Sequence, residues 1–240
     1  MGNIDLTILI PCLNEEKTIG TCITKANKFI LENNINGEVL IANNGSTDNS
    51  EKIAKSLGAR VEYIEKKGYG NALINGSKLA KGKYVIMADA DDSYNFSEIL
   101  PIYEQLKKGY ELVVGNRFKG NIEKGAMKFS HRYIGTPLIS LIARLKHKVK
   151  LGDFNCGMRG YETEKINNLN CVCEGMEYAS EMLIRARRNN LKMVEVPINL
   201  YKDGRNGKSH LNTICYKVSS GIARLWRKYC RSRCIFNAIC

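Results

Sequence analysis

Three carboxylates stand within four positions of the chain, in the tetrad Asp89-Ala90-Asp91-Asp92, directly after the apolar run 84–88. Carboxylates this close repel one another, and burying them unpaired is costly, so we expect a cation or a bound proton beside them. Mg²⁺ is usually held by one or two carboxylates, with substrate phosphates completing its ligands. The tetrad therefore predicts a site for Mg²⁺ or Mn²⁺ and a diphosphate. The alternative is a solvated acidic turn that caps a helix beginning near Ser97.

The elements that must position these carboxylates follow from the pattern of apolar residues. Up to about residue 115, short apolar runs alternate with helical periods. The predicted strands are 4–10, 38–43, 60–65, 83–89 and 110–115, and the predicted helices are 15–33, 48–57, 68–81 and 97–108. This alternation predicts an α/β fold, a mostly parallel central sheet with helices on both faces. The later elements are predicted to be a helix 128–147, an extended segment 154–159, a helix 176–190 and a strand 192–200.

Polar side chains follow three of the predicted strands. Parallel sheets bind ligands beyond the carboxyl ends of their strands. The pairs Asn14-Glu15 and Asn43-Asn44 lie at two of these ends, and the acidic tetrad lies at a third. The sequence therefore predicts that three strand ends meet at one crevice. Ordinary helix caps and glycine turns are the alternatives for the two asparagine-containing pairs.

Several other segments have residue types that suit a phosphate ligand. Two lysines and two glycines in the segment 66–72 precede a helix, where backbone amides can approach a diphosphate. Arg117 follows a predicted strand and can neutralise a leaving phosphate. The segment 201–210 is a basic, glycine-spaced loop that can close over phosphates. Turn scaffolding and surface arginines are the alternatives. Asp153 and Arg159 are close in sequence, and a buried structural Asp–Arg pair competes with a functional role for them.

Length and composition limit the class of protein. At 240 residues the chain fits one domain with a sizeable core. The N-terminal residues lack the pattern of a secretory signal, so we expect a cytoplasmic protein. No apolar stretch approaches the roughly 18 residues that span a bilayer. The nine cysteines show no zinc-ligand spacing, which favours reduced thiols.

Much of the positive charge lies near the C-terminus. The formal net charge is +13, and nine Lys or Arg stand with one acid between Lys202 and Arg233. We expect a catalytic domain 1–210, followed by a basic amphipathic helix and tail 211–240. Such a helix, with Trp226, can lie on an anionic membrane surface, or its apolar stripe can pack on the core. Nucleic acid ranks last as a partner because the tail has no base-reading motif.

Taken in order, the motifs resemble those of family 2 glycosyltransferases with the GT-A fold, a Rossmann-like fold of nucleotide-diphospho-sugar transferases. The resemblance is strongest to the group of dolichol-phosphate mannose synthases and polyprenyl-phosphate glycosyltransferases, and it runs from about Thr7 to Leu211. The matching motifs are Pro11-x-x-Asn14-Glu15, Asn44-Gly45-Ser46-Thr47-Asp48, Gly68-Tyr69-Gly70, Ala88-Asp89-Ala90-Asp91-Asp92-Ser93-Tyr94, Gly115-Asn116-Arg117-Phe118, Gly125-Ala126-Met127, Asp153-Phe154-x-Cys156-Gly157-Met158-Arg159, Gly175-Met176-Glu177, Glu195-Val196-Pro197 and Asp203-Gly204-Arg205. Two positions depart from the pattern: Asn43, where members often carry Asp, and Ser93, where some synthases carry Gln.

The resemblance implies roles for individual residues. Asp89 and Asp91 would hold the metal ion. The residues implied in nucleotide-sugar binding are Pro11, Asn14, Glu15, Asn43, Asn44, Gly68, Gly70, Asp89, Ala90, Asp91, Arg117, Arg205 and Lys208. Arg132 and Thr136, four apart on one predicted helix face, would hold the phosphate of a lipid acceptor.

The implied activity is transfer of a hexose from a nucleotide-diphosphate sugar, UDP-glucose-like or GDP-mannose-like, to a dolichyl or undecaprenyl phosphate at the cytoplasmic face of a membrane. Asp91, Asp92, Arg117 and Asp153 are the candidate catalytic residues. We expect inversion at the anomeric carbon. A phosphate acceptor is already anionic and needs no base, whereas a hydroxyl acceptor needs one, with Asp92 or Asp153 as candidates. The alternatives are transfer to a glycan hydroxyl and an inactive nucleotide-sugar-binding protein.

Overall fold

A seven-stranded sheet forms the centre of the protein. The structure is a computed structural model, and it describes residues 4–129 and 131–205. The strands are β1 Leu6–Cys12, β2 Gly37–Asn43, β3 Arg60–Tyr63, β4 Tyr84–Met87, β5 Leu112–Asn116, β6 Arg159–Glu162 and β7 Met193–Pro197. Their order is β3-β2-β1-β4-β6-β5-β7. β6 is antiparallel to both of its neighbours, and the other pairs are parallel.

In the described part of the chain, seven α-helices connect the strands and cover the sheet. They are α1 Ile19–Glu32, α2 Ser50–Ser56, α3 Tyr69–Leu79, α4 Leu100–Lys107, α5 Thr136–His147, α6 Thr163–Asn167 and α7 Tyr178–Arg188. A 3-10 turn, Phe96–Glu98, precedes α4, and a π-helical turn, His131–Gly135, leads into α5. No helix in the described ranges is long and apolar enough to cross a bilayer.

The two central strands create the crevice that the sequence predicted. From β1 the chain passes outward through β2 to β3, and α3 then returns it to β4 on the other side of β1. Right-handed crossovers place the helices of these two directions on opposite faces of the sheet. β4 and most of β1 are fully covered, which explains their unbroken apolar sequences. Because the chain changes direction along the sheet between β1 and β4, a cleft opens beyond the carboxyl ends of these two strands.

The predicted α/β fold is confirmed, and every strand and helix predicted up to residue 115 is present with shifted ends. The extended segment 154–159 was wrong, because residues 154–157 form turns and β6 begins only at Arg159. The short helix α6 was not predicted. The predicted helix 128–147 includes the π-helical turn before α5 begins. The predicted C-terminal helix and the domain end at residue 210 lie outside the described residues.

Arg159 explains why the segment before β6 turns back. Its side chain is fully buried, and its guanidinium donates to the carbonyl oxygens of Cys156 at 3.0 Å, Phe154 at 3.1 Å and Ala179 at 2.5 Å. These carbonyls belong to the turn and to α7, so one side chain ties the turn, β6 and α7 together. The buried pair of Arg159 with Asp153 that the sequence suggested is not formed, because Asp153 binds Arg117.

Replacement of Arg159 by Met tests this tie. Methionine keeps much of the apolar volume but leaves three buried carbonyl oxygens without their donor, so we expect the free energy of unfolding to fall by about 3 kcal/mol. Urea denaturation measures the change. The same substitution at the exposed Arg188 of α7 is the control and should change stability little. Similar stabilities of the two variants would contradict the role given to Arg159.

Candidate active site

A cavity of about 530 Å³ lies at the carboxyl ends of β1 and β4. Its walls come from the residues that follow these strands, the end of β5, the start of α3, the segment 125–128 and the loop after β7. Elements that are distant in sequence thus contribute to one concave surface. The volume is in the range of sites for small organic ligands.

Asp89 and Asp91 lie in this cavity and are held by neighbouring donors. The hydroxyl of Tyr69 donates to Asp89 Oδ1 at 2.8 Å. The amide and hydroxyl of Ser93 donate to Asp91 Oδ1 at 3.0 and 2.6 Å. Burial raises the pKa of Asp89, and the negative charge of Asp91 raises it further. A Cβ atom on Gly157 would lie 2.7 Å from Asp89 Oδ2, so the glycine leaves room for this carboxylate.

These two aspartates suit a divalent cation. Their carboxylate oxygens are hard ligands, and their mutual repulsion would be relieved by a cation between them. The described part of the chain has no cluster of three or more His, Cys, Asp or Glu suited to a metal. The predicted protein ligands are two carboxylates, and the other ligands would come from a bound molecule, as at Mg²⁺ sites that are completed by substrate phosphates.

Arg205 links the carboxylates at the mouth of the cavity. Its guanidinium donates to Asp203 at 2.6 to 3.0 Å, to Glu15 Oε1 at 2.8 Å and to Asp91 Oδ2 at 3.2 Å. Burial raises the pKa of Glu15 to about 7, with Arg205 opposing the rise and Asp91 adding to it. Arg205 is thus the counter-ion of three acids, one of which is a predicted metal ligand.

Arg117 lines the cavity and is fixed from behind. Its Nε and Nη2 donate to the two oxygens of Asp153 at 2.7 and 2.8 Å, and its backbone N–H donates to the same carboxylate. The Asp153 side chain is fully buried and lies behind the cavity wall. The buried structural pair considered for this acid exists, but its partner is Arg117 instead of Arg159.

Both candidates for a general base are held in ion pairs. Asp153 has no exposed surface and is paired through both oxygens. Asp92 does not line the cavity. Its backbone has a left-handed φ of 60°, and both of its oxygens accept from Lys25 Nζ of α1, at 2.7 and 3.0 Å. Either acid would have to leave its partner to deprotonate an acceptor, and the role as a base stays a prediction.

The residues predicted to bind the nucleotide sugar divide into two sets. Those that line the cavity are Pro11, Glu15, Asn44, Gly68, Asp89, Ala90, Asp91, Arg117 and Arg205. Asn14, Asn43 and Gly70 lie outside its wall, and Lys208 lies outside the described residues. Contacts of the first set with a ligand stay predictions.

The three residues outside the wall have structural partners. Asn43 is buried, accepts from the amides of Gly45 and Ser46 and donates to Glu51, so it shapes the turn after β2. Asn14 accepts from the Thr47 amide and is exposed. A Cβ atom on Gly70 would lie 2.1 Å from the carbonyl oxygen of Cys173, so this glycine permits close backbone packing. Contacts of these three residues with a ligand stay predictions.

The two residues predicted to hold the acceptor phosphate do not line the cavity. Thr136 is buried, and Arg132 lies over the ring of Tyr133, 5.5 Å from its centroid. Arg132 lies in the π-helical turn His131–Gly135 and Thr136 begins α5, and their role in holding an acceptor phosphate stays a prediction.

Sequence reasoning gave no individual role to several polar side chains that line the cavity: Lys67, Tyr69, Ser93, Tyr94, Lys128, Asn155 and Asp203. Lys67 and Tyr69 stand inside the glycine-containing segment before α3, so a signal was present for them. Lys128 follows the Gly125-Ala126-Met127 motif and could have been predicted from it in the same way. Asn155 had no signal, because its position depends on the turn that Arg159 organises.

The fold and the crevice define a GT-A protein, and comparison with known proteins is consistent with this. The solved structure of glucosyl-3-phosphoglycerate synthase from Mycobacterium tuberculosis, in complex with Mn²⁺, UDP and glucosyl-3-phosphoglycerate, is similar with a TM-score of 0.69 and 20% identity, over 88% of this chain and 75% of that one. At this identity the likeness shows the fold.

The chain belongs to glycosyl transferase family 2, whose family model matches residues 7–169. It is 32% identical over 209 residues to the low-salt glycan biosynthesis hexosyltransferase Agl6 of Haloferax volcanii, covering 87% of this chain and 50% of that protein. It is 26% identical to the glycosyltransferase AglJ of the same organism, over 86% of this chain and 66% of that protein. The chain thus spans about half to two thirds of the length of these two relatives.

Loss of the negative charge at Asp153 and at Asp92 should lower the free energy of unfolding by different amounts. Asp153→Asn leaves the buried Arg117 guanidinium without an ionic partner, and we expect the free energy of unfolding to fall by about 3 kcal/mol. Asp92→Asn breaks a partly exposed pair with Lys25, for which the expected loss is below about 1 kcal/mol. Urea denaturation compares the two variants. Equal stabilities would show that the buried pair is not the structural element described.

Gly157→Ala tests the support behind Asp89. The added methyl group would displace the carboxylate, so we expect the affinity for Mn²⁺ with UDP or GDP to fall by about 10-fold to 100-fold, as for other residues that support a metal ligand. Titration calorimetry measures the affinity. Gly20→Ala in α1 is the control, since its Cβ would meet only side-chain ends at 3.3 and 3.7 Å. Unchanged affinity in Gly157→Ala would show that Asp89 does not bind the metal.

Proposed function

We propose that the protein is an inverting glycosyltransferase that moves a hexose from a nucleotide-diphosphate sugar to a polyprenyl phosphate, with Mg²⁺ or Mn²⁺ as cofactor. One observation carries the choice of acceptor. In the described residues, the acids that line the cavity are Glu15, Asp89, Asp91 and Asp203, and each is held by Arg205 or Tyr69. With Asp92 and Asp153 also paired, an acceptor that needs no deprotonation fits this site best.

The donor side of the proposal rests on family membership and on the cavity. The relative Agl6 is named a hexosyltransferase, and the similar synthase structures contain UDP or UDP-glucose with Mn²⁺, or UDP with Mg²⁺. Asp89 and Asp91 would hold the same kind of ion here. When bound, that ion stabilises negative charge on the leaving diphosphate.

The residues of this chain supply the remaining electrostatics. Arg117 is preorganised by Asp153, so its positive charge faces the cavity without further reorganisation, which is the arrangement that stabilises developing negative charge. Arg205 is close enough to Asp91 to meet the same diphosphate. An oxygen of the acceptor phosphate attacks the anomeric carbon, and the bond from that carbon to the diphosphate oxygen breaks. The new bond forms on the opposite face of the sugar, so the configuration inverts.

The deciding experiment is a transfer assay with Mn²⁺, radiolabelled UDP-glucose or GDP-mannose, and a short-chain polyprenyl phosphate in detergent. We expect a lipid-linked sugar of inverted anomeric configuration from one of the two donors. Asp91→Asn removes one of the two carboxylates that bind the cation, and we expect it to lower kcat/KM by at least about 100-fold. Product stereochemistry is read by NMR.

Glu104→Gln, an exposed acid of α4, is the matched control and should leave transfer unchanged. Transfer to glycans or other hydroxyl acceptors, with none to the lipid phosphate, would replace the proposed acceptor. Donor binding without turnover on any acceptor would indicate an inactive nucleotide-sugar-binding protein. A product that retains the donor's configuration would refute the single displacement.

A further inference from the structure

Large apolar side chains are exposed together along one segment of the chain. Phe129, Tyr133, Leu138, Leu141 and Leu145 have 74, 58, 52, 45 and 75% of their surface exposed. Phe129 and Tyr133 contact each other, with ring centroids 4.6 Å apart. The three leucines are three and four positions apart in α5 and therefore share one helix face. These five side chains are called the α5 surface.

The described leucines of α5 face outward. Among the side chains of α5 that the structure describes, Thr136 and Ser140 are buried, while Leu138, Leu141 and Leu145 are exposed together with Arg144. The Ser140 hydroxyl accepts from the Phe154 amide at 3.2 Å, so this buried residue is fixed to the protein. A water-facing amphipathic helix would place its leucines inward. An exposed patch of this kind marks a contact with another apolar phase or partner.

The charge around the α5 surface indicates which partner can bind there. The segment 124–150 contains seven Lys or Arg and no acid. The C-terminal tail is also strongly basic, and a second copy of the chain would bring the same positive segment, so both would be repelled. Anionic lipid headgroups have the complementary charge, and Arg132 beside the Tyr133 ring gives the combination of basic and aromatic side chains that suits a membrane interface.

We propose that the α5 surface docks on an anionic lipid bilayer, with its apolar side chains in the interface and its basic residues at the headgroups. α5 has 12 residues, fewer than the roughly 20 that span a bilayer, so it would lie on the membrane. Met127 and Lys128 line the cavity, and Phe129 begins the α5 surface. Docking would therefore bring the cavity to the membrane, where a polyprenyl phosphate resides. That last step rests on the proposed function, whereas docking itself does not.

Vesicle co-sedimentation of the full chain tests the docking. The variant Leu138→Gln/Leu141→Gln/Leu145→Gln removes the apolar face but keeps good helix formers. The control variant Leu31→Gln/Leu57→Gln/Leu79→Gln changes three leucines that are exposed elsewhere, by 78, 37 and 41%. The vesicles contain phosphatidylcholine with or without phosphatidylglycerol and hold no polyprenyl phosphate.

We expect the unmodified chain and the control to bind the anionic vesicles, and the α5 variant to bind at least about tenfold more weakly. Transfer to a detergent-solubilised short-chain acceptor should be equal in all three proteins, which separates failure of docking from failure of the proposed reaction. Unchanged vesicle binding by the α5 variant would overturn the proposal and assign binding to the tail. A dimer that the α5 variant alone dissociates, without vesicle binding, would overturn it in favour of a second copy.

Discussion

One guanidinium holds together the acids at the mouth of the cavity. Arg205 donates to Glu15 after β1, to Asp91 after β4 and to Asp203 after β7. Three like charges in a partly buried space would otherwise repel one another and favour opening of these loops. The cleft therefore depends on charge compensation across three distant parts of the chain. A divalent cation at Asp91 would share that carboxylate with Arg205 or replace Arg205 there, so cation binding would weaken or break the contact between Arg205 and Asp91.

The two arginines of the cavity differ in how they are held. Arg117 is bound through two parallel hydrogen bonds to Asp153, which is fully buried, so its position is set by the core. Within the described residues, the Arg205 side chain is bound by acids at the edge of the cavity. One positive charge is thus fixed before any ligand arrives, while the other can change partners. Fixed charge suits stabilisation of a leaving group, because little reorganisation is needed during the reaction.

The sequence predicts the fold and the strand-end residues well, because both depend on local pattern. Alternating apolar and helical periods determine a parallel sheet, and the polar residues at the ends of β1 and β4 then meet at one edge. Glu15, Asp89 and Asp91 were found in this way. The partner of Asp153 was not, because Arg117 is 36 positions away and comes close only through the pairing of β5 with β6. A nearby arginine in sequence was a poor guide to the contact.

The same limit explains α5. Its pattern predicts a helix but not the orientation of that helix, since Ser140 meets the Phe154 amide only in the folded protein. Under the proposed reaction this orientation has a consequence for charge. The diphosphate would lie beside Asp89 and Asp91. An acceptor phosphate that enters from the α5 side would first meet Lys128, the last residue of the segment 125–128. Two anions then approach one sugar from different sides, each with its own cation, and their mutual repulsion is screened throughout an in-line displacement.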